Sequence, residues 1–490
     1  MKVLQVAAEA VPLVKTGGLA DVVGALPDAL ARAGVSSRLL LPGFAAVQEA
    51  FSAVRPLATL PCPWGAKPPQ LMTGRLKPLG DAPAYFVKAP DLYERPGGLY
   101  SDPTGAAWPD NHRRFAPLAW AARALARGTD APWRPDVVHA HDWHAGLAPA
   151  ALAHAAQPVA SVMTIHNLAY QGLFPAQSFL DLDLPAAAWG LDGVEFWGQL
   201  SFMKAGLHHA QALSTVSPTY AREILDPSMG CGLDGVLRAH PGGVAGILNG
   251  VDYGVWHPGS DPLIPHRFDA RRLQGKALCK AALQQAQGLA VQTRAPLMAV
   301  VSRLTSQKGL DLLLQVLPQA LDDGTQLVVL GQGDPPLEAG FAAAAAQHPG
   351  RVTLLRAHDE ALAHQIFAAA DVVLIPSRFE PCGLTQLYAM AYGALPLVHH
   401  VGGLADTVQD CTLEALEDGV ATGFAFHRFE PAALRAALRR AQLLWQRPDQ
   451  WSRVQQRAMA QRFDWDRAAK AYGALYEQAI VRRSALATLV

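Results

Sequence analysis

The sequence is poor in cysteine and in long apolar runs. Its five cysteines are scattered, and no two of them form a CxxC pair. An odd, dispersed set argues against a disulfide framework or a thiolate metal site and is typical of reduced thiols in the cytoplasm. No apolar run reaches the roughly 18 residues that a membrane span needs, so we expect no membrane association. Glu9 interrupts the first apolar stretch, which favours a first strand over a signal peptide.

Excess charge of either sign is also missing. Lys plus Arg number 41, as do Asp plus Glu, and charged residues make up only 17% of the chain. This balance argues against nucleic-acid and anionic-membrane partners. Half of the 490 residues are hydrophobic, which is enough for more than one substantial core. The composition therefore predicts a multidomain enzyme rather than a disordered or surface-binding protein.

General nucleotide-binding motifs are absent: the chain has neither GxGxxG after its first strand nor a Walker loop. Instead, a strand at 2–8 leads into KTGGLADVVGAL, where apolar residues at helical spacing predict a helix beginning after Gly18. Lys15 precedes the two glycines, at which a ligand could approach the backbone closely. GGLAD recurs at 402–406. Two copies, each opening a helix, favour two similar doubly wound domains.

Polar side chains follow several predicted strands of the first half. Asp142 begins the loop after the predicted strand DVVHAH and is predicted to cap the next helix. The stretch 158–172 is predicted to be a strand ending at His166 and Asn167, and Asn249 closes a later strand. Because the carboxyl ends of parallel strands share one edge of a sheet, we expect these side chains to meet there.

The cluster HAHDWH at 139–144 also suggests a metal site. Its order is H-x-H-D-x-H, and no further cluster of cysteine, histidine or carboxylate completes a known ligand set. Binding of sugar hydroxyls by Asp142 and His144 is therefore the preferred interpretation.

In the second half, DVVLIP (371–376) predicts a buried strand, followed by SRFEPCGLTQLY. Glu380 then lies in a strand-to-helix loop, beside a helix start that favours anions. A carboxylate next to an anion site suggests a nucleotide sugar, whereas an ordinary turn with a capping acid is the alternative. Arg303 ends another strand and Lys308 follows five residues on, so both could neutralise a phosphate pair. The alternative for these two is solvated charge.

With these residues in hand, the chain resembles the retaining glucosyltransferase family that contains bacterial glycogen synthases and starch synthases. The matching motifs run in family order from end to end: KTGGLADVVGALP, HDWHAGL, TIHNLAYQG, ILNGVD, SRLTSQKG, SRFEPCGLTQLYAMAYG and GGLADT. The resemblance implies an α/β fold of two Rossmann-like doubly wound domains in the GT-B arrangement, with the active site in the interdomain cleft. The expected organisation is an acceptor-side domain at 1–254, a linker at 255–265, a donor-side domain at 266–464 and a helix at 465–490 that returns to the first domain.

The resemblance also implies transfer of glucose from ADP-glucose to the non-reducing end of an α-1,4-glucan, with retention of configuration and without metal or cofactor. The implied catalytic residues are Asp142, His166, Arg303, Lys308 and Glu380. Further residues implied in donor or substrate binding are Lys15, Gly18, Asp21, His144, Asn167, Asn249, His358, Cys382, Gly383, Leu384 and Thr385. The sequence does not define an oligomeric state.

Two positions depart from the wider pattern. Tyr388 stands where related enzymes often carry a second glutamate, so a carboxylate–ribose contact is not expected there. His358 stands where the family often carries a base-stacking tyrosine, and histidine offers less stacking area.

A nucleotide-sugar epimerase and a non-catalytic glucan- or nucleotide-binding protein are the alternatives on this fold. An epimerase would need an acid/base carboxylate pair near the sugar. A non-catalytic protein should have lost at least one of the residues Lys15, Arg303, Lys308 and Glu380, all of which are present.

Overall fold

The computed structural model describes residues 1–155 and 159–487. It divides into two compact units. The first comprises Met1–Gly250 together with the chain from Trp465 onward, and the second comprises Val251–Asp464. Pro158, at which the sequence predicts the start of a strand, lies outside the described residues, as do the last three residues of the predicted C-terminal helix.

The first unit is built on a nine-stranded sheet with the order β12-β11-β7-β6-β1-β2-β5-β4-β3. Pairing is parallel from β12 to β5, and β4 and β3 add an antiparallel edge. A separate small antiparallel sheet has the order β8-β10-β9. The strands are β1 Lys2–Val6, β2 Ser36–Pro42, β3 Phe51–Thr59, β4 Gln70–Leu76, β5 Ala82–Lys88, β6 Val137–His141, β7 Ala160–Ile165, β8 Leu173–Pro175, β9 Glu195–Phe196, β10 Gln199–Ser201, β11 Ala212–Thr215 and β12 Val244–Gly246.

Helices cover this sheet, and its central strands are buried along their whole length because both faces are packed. Helix α1 begins at Gly18, one residue before the predicted start, and continues through Pro27. The helices are α1 Gly18–Arg32, α2 Ala45–Glu49, α3 Pro90–Tyr93, α4 Asn111–Ala126, α5 Asp142–Ala145, α6 Leu147–Ala153, α7 Phe202–His209, α8 Pro218–Glu223 and α9 Asp234–Ala239, with 3-10 turns at Lys77–Leu79, Ala176–Asp181 and Ala186–Ala188.

The second unit contains a parallel sheet with the order β15-β14-β13-β16-β17-β18. Its strands are β13 Leu297–Val301, β14 Gln326–Leu330, β15 Val352–Leu355, β16 Val372–Ile375, β17 Leu395–His399 and β18 Phe424–Phe426. Its helices are α10 Gln274–Ala286, α11 Leu310–Asp322, α12 Pro335–Gln347, α13 Glu360–Ala369, α14 Thr385–Ala391, α15 Gly402–Thr407, α16 Leu413–Glu417, α17 Pro431–Trp445 and α18 Pro448–Ala460, with a 3-10 turn at Ser306–Lys308.

Each sheet has a point at which its strand order reverses. In the second unit the chain moves outward from β13 to β15 and then returns to place β16 on the other side of β13. In the first unit β2 lies on one side of β1 and β6 on the other. Doubly wound sheets bind ligands at such points, beyond the carboxyl ends of the strands.

The predicted linker is part of the second unit. Residues 253–266 form turns without a helix or strand, as their Pro and Gly content suggests. However, Trp256 and Ile264 are buried, and Asp261 accepts a hydrogen bond from the Tyr392 hydroxyl at 2.5 Å. The second unit begins at Val251, ahead of the expected boundary. Composition cannot distinguish a free tether from a packed irregular segment, because both are rich in turn residues.

The last helix, α19 Trp465–Ala487, belongs to the first unit. Trp465 and Tyr472, whose spacing predicts packing faces, are both buried. The Tyr476 hydroxyl accepts a hydrogen bond from Nε2 of Gln5 on β1 at 3.1 Å. Among the described residues, no helix combines the length and the apolar character that a bilayer crossing requires.

Candidate active site

Asp142 and His166 meet at the carboxyl edge of the first sheet. They follow the adjacent parallel strands β6 and β7. Oδ1 of Asp142 accepts hydrogen bonds from the backbone amides of His166 at 2.7 Å and Asn167 at 3.3 Å. The prediction that Asp142 caps its own helix is wrong: α5 begins at Asp142 itself, whose φ is +56°. This left-handed backbone points the carboxylate to the neighbouring strand end instead.

Burial controls the protonation of this pair. It raises the pKa of Asp142 to about 7, and the two amide donors only partly oppose the rise. It also lowers the pKa of His166 to about 3, so the imidazole is neutral near pH 7. A neutral imidazole and a carboxyl group at a strand edge are suited to hydrogen bonding with sugar hydroxyls.

The histidines around this edge are held by hydrogen bonds. Nε2 of Gln5 donates a hydrogen bond to the Tyr476 hydroxyl. Oε1 of the same side chain therefore accepts a hydrogen bond from Nε2 of His141 at 2.7 Å. Nδ1 of His141 then accepts from Nε2 of His166 at 3.0 Å. The two ring nitrogens of His139 are also hydrogen-bonded, Nδ1 to the Tyr476 hydroxyl and Nε2 to the Thr164 hydroxyl. Within the part of the chain that the structure describes, no three His, Cys, Asp or Glu side chains are grouped as metal ligands.

Glu9 and Tyr100, which the sequence analysis did not identify as site residues, connect the KTGG loop to His144. The buried Glu9 accepts hydrogen bonds from the amides of Thr16 and Gly17 and from the Tyr100 hydroxyl. The Tyr100 ring stacks on His144 with centroids 4.6 Å apart. Burial raises the pKa of both Glu9 and Tyr100. A charged residue directly after the strand predicted at 2–8 was the available signal for Glu9, whereas Tyr100 lies in a long loop without periodicity.

The remaining predicted residues of the first unit are more spread out. Lys15 Nζ lies 2.8 Å from Oδ1 of Asp21 on α1, the helix that begins at Gly18. Asn249 is buried after β12, at the far edge of the sheet. Oδ1 of Asn249 and Nδ1 of His144 are buried with no hydrogen-bonding partner among the described residues.

In the second unit, the loops after β13 and β16 meet at the strand-order reversal. Lys308 Nζ lies 2.7 Å from Oε2 of Glu380, which also accepts from the Ser377 hydroxyl at 2.8 Å. The backbone amide of Arg378 donates to the carbonyl of Gln307 at 2.9 Å. Two loops distant in sequence therefore form one hydrogen-bonded junction that presents a cation and a carboxylate.

The loop from Cys382 to Thr385 follows directly and is tightly constrained. Gly383 has φ +71°, a conformation that favours glycine. Nε2 of Gln386 donates to the carbonyls of Cys382 and Gly383 at 3.0 and 2.9 Å. Leu384 precedes the first helical residue, Thr385. A Cβ on Gly403, within the second GGLAD copy, would lie 2.1 Å from the carbonyl oxygen of Cys382, so this helix reaches the loop only because residue 403 is glycine.

Two predicted residues stand apart from this junction. The side chain of Arg303 is exposed after β13, beside Lys308 in sequence but outside its ion pair. His358 is exposed beyond β15, two strand positions from β13 and about 10 Å away at the usual strand spacing. A base stacked on His358 would thus lie well to the side of the Lys308–Glu380 pair.

Tyr388, the first departure from the wider pattern, has a structural contact. Its ring stacks on Trp256 with centroids 3.9 Å apart and an interplanar angle of 11°. Trp256 stacks on His364 through its other face at 3.8 Å. Tyr388 therefore joins α14 to the turn segment at 253–266.

Two Rossmann-like units, each with polar residues at its strand-order reversal, are the architecture of GT-B glycosyltransferases. Comparisons with known proteins agree with this class. Residues 2–239 match the family model described as starch synthase catalytic domain, and residues 284–457 match glycosyl transferases group 1. The catalytic domain of starch synthase IV from Arabidopsis thaliana, solved bound to ADP and acarbose, superposes with a TM-score of 0.88 at 31% identity, covering 98% of this chain and 99% of that one.

Curated relatives narrow the class further. The glycogen synthase of Variovorax paradoxus (strain S110) is 52% identical, over 98% of this chain and 99% of its own length. That of Edwardsiella ictaluri (strain 93-146) is 53% identical, over 98% of this chain and 100% of its own. The chain belongs to the glycogen synthase family. It is a glycosyltransferase with a nucleotide-sugar donor and a glucan acceptor, which decides against the epimerase and non-catalytic alternatives.

Proposed function

We propose that the protein transfers glucose from ADP-glucose to the non-reducing end of an α-1,4-glucan and retains the anomeric configuration. The observation that carries this proposal is the Lys308–Glu380 pair, 2.7 Å apart at the strand-order reversal of the second sheet. Such a junction offers a fixed cation to a diphosphate and a carboxylate to sugar hydroxyls. ADP is proposed as the nucleotide because the Arabidopsis starch synthase IV structure holds ADP.

The proposed roles follow from where each side chain lies. Lys308 and the exposed Arg303 neutralise the departing diphosphate, and the backbone amides from Cys382 to Thr385 add phosphate contacts. Glu380 holds the sugar. These contacts supply positive charge from the protein itself, so the proposal includes neither a metal nor a cofactor.

In the first unit, Asp142 and His166 bind the transferred glucose. Lys15, just before helix α1, and Gly18 and Asp21 in its first turn bind the donor phosphates or the acceptor. The unpartnered polar atoms of His144 and Asn249 are available to hydroxyl groups, with Asn167 beside Asp142. His358 is assigned to the adenine base.

In the proposed chemistry, the acceptor hydroxyl attacks the anomeric carbon from the same face of the sugar as the departing diphosphate. The bond from the glucose anomeric carbon to the phosphate oxygen breaks, and the diphosphate leaves with the electron pair. The acceptor hydroxyl forms the new bond on the same face and passes its proton to a phosphate oxygen. Asp142 and Glu380 are assigned to positioning rather than to nucleophilic attack. Trapping a glucosyl ester on either carboxylate would contradict this mechanism.

The test is incorporation of labelled glucose into glycogen from ADP-glucose and UDP-glucose, with EDTA present. We expect incorporation from ADP-glucose that survives EDTA and falls by at least about a hundredfold in Lys308→Ala. Lys470→Ala, at an exposed position of α19, is the matched control and should behave like the wild type. Preference for UDP-glucose would contradict the proposed donor, and loss of activity in EDTA would contradict metal-free charge stabilisation.

We also propose a cytoplasmic location. The five cysteines are all free thiols in the structure, three of them buried. Free thiols are typical of a reducing compartment. Alkylation of intact cells followed by mass spectrometry would test this, since we expect all five thiols to be reduced in vivo.

A further inference from the structure

Trp197 is unusual in two respects: its side chain is largely exposed, and its backbone has a positive φ. It lies at the tip of the hairpin formed by β9 and β10, and 83% of its surface is exposed. Its φ is +52° and that of Gly198 is +78°, which places both residues of the turn in the left-handed region. Turns of this kind favour Asn-Gly, and a large aromatic residue is unusual there. Exposure and backbone strain at one residue point to a binding role rather than to a structural one.

The turn is held without the indole. The amide of Gly198 donates to Oε1 of Glu195 at 2.7 Å. Lys204 on α7 donates to the carbonyls of Leu191 at 2.6 Å and Glu195 at 2.5 Å. A Cβ on Gly232 would lie 3.7 Å from the indole nitrogen, so one edge of the ring rests near this glycine. The Phe196 ring lies edge-on to the indole with centroids 6.3 Å apart, and most of the indole surface remains exposed.

We propose that Trp197 is the stacking platform of a second α-glucan-binding surface, formed with Glu195 and Gln199 and separate from the transfer site. The carbon-bound hydrogens of a glucopyranose give it an apolar face, which packs on a planar aromatic ring. Its hydroxyl groups need acceptors and donors beside the ring, and a carboxylate and an amide supply them.

Charge and size favour a neutral sugar over other occupants. The hairpin region 191–201 contains Asp192 and Glu195 but no lysine or arginine, which disfavours nucleic acid and anionic lipid. A second copy of the chain is also a poor occupant, because one protruding turn cannot supply the roughly 800 Å² per partner of a stable interface.

The hairpin is joined to the loop that carries the transfer-site residues. The strand β8, which pairs with β10, follows His166 and Asn167 along the chain. Gln171, between them, accepts a hydrogen bond from the amide of Met203 at 3.1 Å. Its side-chain nitrogen donates to the carbonyl of Cys231 at 2.8 Å, next to the glycine beneath the indole. A polymer held at Trp197 is thus retained on the same unit as the proposed sugar-binding residues; the identity of the polymer rests on the proposed function.

The experiment is native electrophoresis of the full chain in gels that contain glycogen, without donor. Trp197→Asn removes the ring and installs the residue that the turn prefers. We expect its apparent affinity for glycogen to fall by about three- to tenfold, the worth of one aromatic contact, with an unchanged or higher Tm. Trp197→Tyr keeps an aromatic face and should retain most of the retardation. Leu180→Ala, which removes another exposed apolar side chain, should migrate like the wild type.

Each other outcome would overturn the inference. Equal retardation of Trp197→Asn and the wild type would show that the ring does not bind glucan. Equal weakness of the Asn and Tyr variants, or a lower Tm in Trp197→Asn, would assign the ring a structural role. A change in oligomeric state by size-exclusion chromatography would identify a second copy as the occupant. Because binding is measured without donor, failure of ADP-glucose transfer by the wild type would contradict the proposed function and leave this test intact.

Discussion

Lys308 and Glu380 form an ion pair between the loops that follow β13 and β16, with Nζ 2.7 Å from Oε2. Their side chains are only 19% and 8% exposed. Burial of two opposite charges is tolerated only when each has its partner, because either charge left alone loses its hydration without compensation. The pair therefore couples the positions of a proposed phosphate-binding cation and a proposed sugar-binding carboxylate.

This coupling can be measured with a double-mutant cycle. We expect Lys308→Met and Glu380→Gln each to lower the free energy of unfolding by about 2–4 kcal/mol, since each leaves a mostly buried group unpaired. The double variant should lose less than the sum, by about 1–3 kcal/mol. Urea denaturation gives these values. The exposed Arg428–Glu430 pair is the control and should change stability by less than about 0.5 kcal/mol. Strict additivity for Lys308 and Glu380 would mean that they do not interact.

Gly403→Ala should damage the loop from Cys382 to Thr385 from outside the proposed site. The added Cβ would meet the Cys382 carbonyl oxygen at 2.1 Å and its Cα at 2.5 Å, and both are backbone atoms that cannot swing away. We expect ADP binding, measured by calorimetry, to weaken by at least about tenfold, and stability to fall by more than about 2 kcal/mol.

The control is Gly473→Ala. This glycine lies within α19, and beyond the helix's own backbone and the adjacent residues nothing lies within 4 Å of the added Cβ, so the change should stabilise the protein by up to about 1 kcal/mol. Unchanged ADP affinity in Gly403→Ala would show that the loop is not part of the donor site.

The strand ends are predictable because their signal is local. Apolar, β-branched runs such as 371–376 define buried strands, and the next polar residue then lies at the carboxyl edge. By this logic the sequence alone places Asp142, His166 and Glu380 at sheet edges. It cannot place Tyr100 against Glu9, because that contact joins positions 91 residues apart and depends on how an irregular loop packs.

Two errors have the same origin. The helix-capping preference of aspartate predicts a cap at Asp142, but buried amides of a neighbouring strand end form the stronger set of contacts. The turn-rich stretch at 253–266 predicts a linker, although Trp256 packs between His364 and Tyr388. In both cases tertiary contacts override a local preference that is correct on average.

A substitution of Tyr388 tests whether residue 388 contacts the donor ribose. Tyr388→Glu would remove a parallel stack on Trp256 at 3.9 Å and place a charge against the indole. We expect a loss of about 1–3 kcal/mol in stability and no gain in ADP affinity. Tyr388→Phe keeps the stacked ring and should retain most of the stability. Tighter ADP binding by the glutamate variant would indicate that residue 388 does reach the ribose.

The raised pKa of Asp142 predicts that the stability of the protein falls as the pH rises. Burial raises its pKa from 3.8 to about 7, so between these values the folded state holds a proton that the unfolded state has lost. The contribution of Asp142 to stability is therefore highest below pH 3.8 and falls as the pH rises towards 7. Asparagine cannot ionise, yet its side-chain oxygen can still accept from the amides of His166 and Asn167.

Asp142→Asn should accordingly gain stability relative to the wild type between pH 5 and pH 8, by up to about 3 kcal/mol. Urea denaturation at the two pH values measures this difference. Asp28→Asn, at an exposed position of α1, is the control and should show almost no change between them. A constant difference between Asp142→Asn and the wild type would mean that the carboxylate is stabilised in the fold as well as in water. The same variant should lose transfer activity at pH 8, where Asp142 is ionised, because an amide cannot reproduce the hydrogen bonds that a carboxylate makes to sugar hydroxyls.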